Sequence, residues 1–171
     1  MGRITEQERQ RKFQELDAHV WEVFKEGGWY GLTYQRLSEV SGYRKSTIQG
    51  YFPSNAEFID SIVGKAFPEM LPFLDLTSVE TFLETWTLEC LKPAIRHYTA
   101  LIMLDATVGL NGSFAKQAIN NVVEFLSGSF GLSRSEALHT FKYMMGHSIM
   151  VQAGLETDVD PFFGRNTNAQ S

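Results

Sequence analysis

A single cysteine, Cys90, among 171 residues excludes an intrachain disulfide framework and a cysteine-based zinc cluster. Long apolar runs are missing as well. The most apolar stretch, Tyr98 to Leu110, is interrupted by Thr99, Asp105 and Thr107 and falls short of the roughly 20 apolar residues that a membrane span needs. The first dozen residues are polar and hold no hydrophobic segment of the signal-peptide kind. These absences lead us to expect a cytoplasmic protein with no membrane partner. There is no nucleotide-binding glycine loop, no Gly-x-Ser-x-Gly elbow and no His-Glu-x-x-His helix, so we expect no enzyme and no cofactor. Bulk positive charge is lacking too: 15 Lys and Arg stand against 20 Asp and Glu, a formal charge of -5. Nucleic-acid binding would therefore need a local basic patch. What is present, 43% hydrophobic and 20% charged residues, is the composition of a folded protein and excludes disorder over most of the length.

The hydrophobic pattern is helical throughout, with no sustained strand alternation. Phe13, Leu16, Val20, Val23 and Phe24 share one face of a first helix, which runs from Thr5 to about Glu26 and is stopped by Gly27-Gly28. Thr33 caps a short second helix that buries Leu37 and Val40 and ends at Gly42. A third, Arg44 to about Gly50, buries Ile48. A longer helix then carries Phe58, Ile59, Ile62, Val63, Ala66 and Phe67, capped by Ser54 or Asn55 and bent or ended by Pro68 and Pro72. Thr77-Ser78-Val79-Glu80 reads as a capping box, and Pro93 separates that helix from a central one over Ala94 to Val108. Ser113 to about Ser127 and Arg134 to about Gly154 complete the set, the last with a capping box over Ser133-Arg134-Ser135-Glu136 and two apolar stripes. Leu138, Phe141, Met145, Ile149 and Gln152 lie on one side, Ala137, Met144 and Val151 on the other. A polar tail follows, which we expect to be poorly ordered past Phe163.

The segment Leu32 to Asn55 carries the most information. Two short helices flank a turn containing Gly42, and small Ser38 lies four residues before that glycine. A small side chain permits close, steep packing of the second helix, and glycine supplies the left-handed turn. This is the pattern of a helix-turn-helix whose second helix offers Lys45, Ser46, Thr47 and Gln49 to a DNA major groove, with Arg44 adding positive charge.

From Leu32-Thr33-Tyr34-Gln35-Arg36-Leu37 through Gly42 to Tyr51-Phe52-Pro53-Ser54-Asn55, the sequence resembles the signature of the TetR/AcrR family of bacterial transcriptional regulators, over roughly residues 5 to 67. The resemblance implies an all-α protein: a three-helix DNA-binding domain at residues 1–53, a helical ligand-binding and dimerisation domain at 54–163, and a tail at 164–171. It implies a dimeric regulator, most often a repressor, on a pseudo-palindromic operator. Tyr34, Gln35, Lys45, Ser46, Thr47 and Gln49 stand where such proteins touch bases or phosphates. Tyr51 stands where an aromatic contacts the backbone, and Thr33 both caps its helix and reaches a phosphate. Three positions depart from the pattern. Arg44 replaces a capping Ser, Gln49-Gly50 replaces Tyr-His, and Asn55 replaces a phosphate-holding Lys; Arg3, Arg9, Arg11 and Lys12 are candidates to replace that last contact. Residues 1–64 hold 8 basic and 9 acidic side chains against 7 and 11 in residues 65–171, so the first part is only relatively basic.

In the second part, Trp86, Tyr98, Met103, Phe125 and Met144 are candidates to line an effector pocket, with Thr87 and His147 as polar handles and Cys90 beside them; ordinary core packing explains the same residues. We expect Cys90 to be a small core residue and not a redox sensor. Glu136-x-x-His139 is half of a di-iron pattern, and we expect no metal. The last two helices carry surplus apolar surface, which assigns a homodimer to them, and a small apolar effector would act through helix four near Phe67-Pro68. The alternative is a helical interaction protein of the same fold that acts through a protein partner, with DNA binding weakened by Gly50 and Asn55.

Overall fold

Thr5 starts the first helix: its hydroxyl accepts the Glu8 amide at 3.2 Å, and Glu6 and Glu8 lie against the positive end of the helix dipole. In the computed structural model, which describes residues 5–110 and 112–155, this helix is α1, Glu6–Gly31. It is followed by α2 (Tyr34–Ser41), α3 (Lys45–Tyr51), α4 (Phe58–Ile62), α5 (Ala66–Met70) and α6 (Val79–Glu89). Then come α7 (Pro93–Val108), α8 (Phe114–Phe130) and α9 (Arg134–Gln152), with single 3-10 turns at Asn55–Glu57 and Leu71–Phe73. Every regular element among the described residues is helical, and none of the helices is long and apolar enough to cross a membrane. Residues 156–171, including the expected tail, lie outside the described residues.

Several boundaries differ from the sequence reading, each for a local reason. The Gly27-Gly28 stop is a break and not an end. Gly28 takes φ 63° and ψ −165°, a conformation open essentially to glycine alone, and Trp29 to Gly31 resume a last turn closed by the Leu32 amide on the Trp29 carbonyl at 3.3 Å. The single long fourth helix is replaced by α4 and α5. Gly64 at φ 78° ends the first, and the Lys65 ammonium, held by the Asp17 carboxylate and main-chain carbonyl of α1, fixes the offset. Pro68 then stands in the first turn of α5, where its missing N–H breaks no helical bond. Neither Ser54 nor Asn55 caps α4. At α6 the capping box joins Ser78 to Thr81, a side chain short enough to reach back, and Glu80 is not part of it. Gly128 stays helical, so α8 continues to Phe130 and ends on Gly131 at φ 64°. The Ser133–Glu136 box is as expected.

Two apolar clusters hold the bundle together. The first joins Leu16, Val20 and Phe24 of α1 to Leu37, Ile48, Phe52 and Phe58, and also takes in Tyr98, Leu101 and Ile102 of α7 and Phe114 of α8. It therefore extends across the 53/54 boundary drawn from the resemblance. The second gathers Phe82 and Trp86 of α6 and Cys90 at its C-terminal cap with Val123 and Leu126 of α8 and Ala137, Phe141 and Met144 of α9. Phe13 and Val40 leave the expected buried stripes. Phe13 is 36% exposed and stacks on Phe52 at 5.6 Å, while Val40 is 37% exposed on the outer side of its short helix. On α9 the stripe of Ala137, Met144 and Val151 is buried, whereas the other is split: Phe141 is buried and Leu138 and Ile149 face outward.

Ile48 is fully buried and is the one buried residue of α3. Ile48→Ala is expected to destabilise the chain by about 2–5 kcal/mol in denaturant-unfolding measurements, because a seven-residue helix has little else to hold it.

Candidate functional site

The turn between α2 and α3 is built by short side chains. The Thr33 hydroxyl accepts the Arg36 amide at 3.1 Å and starts α2; Gly42 at φ 72° ends it, its amide donating to the Ser38 carbonyl at 3.1 Å. The Ser38 hydroxyl donates to the Tyr43 carbonyl at 2.7 Å, and Ser41 Oγ accepts the Tyr43 amide at 3.2 Å. The role anticipated for Ser38 was smallness alone, and the hydrogen bond adds to it. Tyr43 was not anticipated: its hydroxyl donates to Glu15 at 3.0 Å and ties the turn to α1, a contact with no local signal in sequence. That hydrogen bond raises the Tyr43 pKa.

Because Ile48 and Leu37 point inward, the outer side of α3 is fixed. Arg44, Lys45, Ser46 and Gln49 are exposed there, and Thr47 is half-buried. Arg44 begins α3 without a side-chain cap, as its replacement of Ser implied. Among the described residues neither Arg44 nor Lys45 has a carboxylate at ion-pair distance. The other candidates differ. Gln35 donates to Glu39 at 2.7 Å, and its neighbour Arg36 pairs with Glu26 at 3.3 Å and Glu39 at 3.7 Å. Tyr34 donates its hydroxyl to the Phe52 carbonyl at 2.6 Å and packs edge-on to Phe58, so it fastens the segment after α3; burial raises its pKa. Tyr51 is half-buried beside Phe13, and with Glu6, Arg9 and Gln10 these rings border a cleft of about 440 Å³. Lys12 is paired with Glu8 at 3.3 Å.

The effector candidates divide into a connected set and outliers. Trp86 donates its indole N–H to Ser148 Oγ at 2.8 Å, and Ser148 donates onward to the Met144 carbonyl at 2.7 Å. The Thr87 hydroxyl donates to the Leu83 carbonyl at 2.8 Å and lies 2.9 Å from His147 Nε2. Cys90 Sγ lies 3.2 Å from the Thr87 carbonyl, and Gln152 donates to the Cys90 carbonyl at 3.0 Å. These groups form one buried polar seam between α6 and α9, with Tyr143 stacked on His147 at 5.4 Å. Ser148 and Gln152 belong to the seam and were not among the candidates; their i, i+4 spacing on one helix is the signal that was there. Phe125 meets Phe67 edge-on at 4.7 Å, at the edge of the second cluster. Tyr98 belongs to the first cluster, against Phe114, and Met103 is 43% exposed. Those two are not brought to the seam. Among the described residues no group of three or more His, Cys, Asp or Glu could hold a metal ion.

No family model and no curated protein matches this chain.

Burial pushes the Cys90 thiol above its ordinary pKa and the Tyr98 phenol up to about 12. Cys90 should therefore react with a chromogenic disulfide reagent near neutral pH only after unfolding. For Tyr98 the folded pKa is the higher, so its contribution is full below about pH 10, the ordinary tyrosine value, and is lost as pH rises towards about 12. Tyr98→Phe should flatten the fall in stability over that alkaline range in pH-dependent unfolding.

Proposed function

We propose that the protein is a dimeric DNA-binding transcriptional regulator similar to the TetR/AcrR type, with α2 and α3 as its helix-turn-helix and α3 as the helix that enters the major groove. One observation carries the reading. Arg44, Lys45, Ser46 and Gln49 project from a helix anchored by a single buried isoleucine, and the two cations have no ion-pair partner among the described residues. Cations left unpaired on a rigid element suit phosphates, and the amide and hydroxyls suit base edges. Lys45, Ser46, Thr47 and Gln49 read the groove in this account. Arg44 and Arg9 hold the flanking backbone, with Tyr51 beside Arg9, and Thr33, Tyr34 and Gln35 chiefly shape α2.

Leu138 and Ile149 support a dimer seam along α9, since both are at least 37% exposed and their 11-residue spacing puts them on one side of the helix. The outward positions of α8, including Lys116, Gln117, Asn121 and Glu124, are polar, so α9 contributes the apolar part of that seam. A two-fold pair would present two α3 helices to successive major grooves of a pseudo-palindrome. A small apolar effector that opened the Thr87–His147 seam would bias the joint at residues 63–65 and release DNA if it bound the released state more tightly.

Selection of bound sequences from a random duplex library, at low and physiological salt, tests the reading; recovery of one inverted repeat is expected. On that duplex, Lys45→Ala and Thr47→Ala should each weaken binding about 10- to 100-fold while sedimentation still reports a dimer. No enrichment at either salt would transfer support to the protein-partner reading, for which Gln35 and Arg36 tied to carboxylates, Gly50 and Asn55 are the favouring features.

A further inference from the structure

The break in α1 is met by a side chain from the second half of the chain. Gly28 turns to φ 63° and ψ −165° one helical turn after Phe24 and Lys25. His97, on the second turn of α7, meets the main chain there: its Nδ1 lies 3.2 Å from the Phe24 carbonyl and 3.1 Å from the Lys25 carbonyl. With two carbonyls as its neighbours, Nδ1 carries the proton and donates. The imidazole also packs edge-on to Phe24, and it occupies the space a Cβ at position 28 would need, coming within 3.0 Å of that point. Gly28 is buried, so the backbone at the break sits directly against the ring.

Everything beyond the break leads to α3. Trp29 to Gly31 form one turn, Leu32 is buried, and Thr33 caps α2, which packs on α3. We infer that His97 is a positioning residue for α3: it holds the α1 break in one geometry and so sets the angle at which α2 and α3 stand to α7. The inference rests on the DNA-binding reading for its functional consequence, while the latch itself does not. Through it, the helical second half of the chain acts on the groove-reading helix by a route separate from α4 and α5, using a polar contact that any shift of α7 along α1 would break.

Three full-length variants test it. His97→Phe keeps a ring and removes the donor. His97→Asn keeps an N–H donor two bonds beyond Cβ, where Nδ1 is, and His97→Gln moves the donor one bond further out, serving as the misplaced-donor variant should His97→Phe fail to fold. Amide hydrogen exchange is read for residues 28–33 and for α3, with α8 and α9 as internal reference. The latch predicts that His97→Phe, or His97→Gln in its place, speeds exchange at 28–33 and α3 about tenfold relative to the reference, and that His97→Asn stays within about twofold of the parent chain. On the selected duplex it further predicts that the donor-removing variant tolerates half-site spacings the parent rejects, which a merely structural residue would not change. Equal exchange in all four proteins, or Asn behaving like Phe, would overturn the latch. If exchange follows the prediction and no duplex is bound by any of the four, the latch stands and the DNA reading fails.

Discussion

The packing of α1 against α7 is the constraint on which the other helices depend. Leu16, Val20 and Phe24 on one side and Tyr98, Leu101 and Ile102 on the other form a single apolar cluster, and α2, α3 and α4 are laid against it. Helices of five to eight residues are too short to be stable alone, so α2, α3 and α4 exist because that surface is there to cover. The polar ties are few and sited at the ends. Lys65 binds Asp17, the Trp21 indole donates to Glu69 at 2.7 Å, Tyr43 binds Glu15, and His97 takes the carbonyls at the α1 break. Each fixes a chain direction that the apolar cluster alone would leave loose.

The two halves of the chain divide their polar groups differently. In the second half Trp86, Thr87, His147 and Ser148 satisfy one another in a buried seam, which specifies how α6 lies on α9. Around α3 the turn residues are satisfied internally while the outward cations have no ion-pair partner among the described residues. That contrast, saturated scaffold against unsatisfied outer side, is the physical content of the proposed interface. It also sorts the candidates: Tyr34 has its hydroxyl committed to Phe52, whereas Lys45 has its charge available.

How far the fold was legible follows from range. Thr33, Gly42 and the Ser133–Glu136 box declare themselves in sequence because capping is local, and α2, α3 and α7 fall within two residues of where they were expected. The break at Val63–Lys65 was missed because the apolar spacing runs on through it; Gly64 becomes a stop only when Lys65 reaches Asp17, 48 residues away in sequence. Likewise Gly28 reads as an end until His97, 72 residues from Lys25, makes it a bend. The outer face of α3 was legible, since a seven-residue helix with one buried isoleucine has only one way to face. The seam was half legible: its α6 members and His147 were named, while Ser148 and Gln152 gain their meaning from partners about 50 to 60 residues away in sequence, and Met103 and Tyr98 were given to it by residue type and not by place.

The central claim is that the outward charges of α3 meet phosphate, and the most direct measurement is the affinity for one fluorescent duplex of about 30 base pairs across a range of salt concentrations. The account predicts a straight line in log Kd against log salt whose slope reports several phosphate contacts, and a slope smaller by about 1 in Arg44→Ala. No binding at low salt, or a slope that Arg44→Ala and Lys45→Ala leave unchanged, would contradict it.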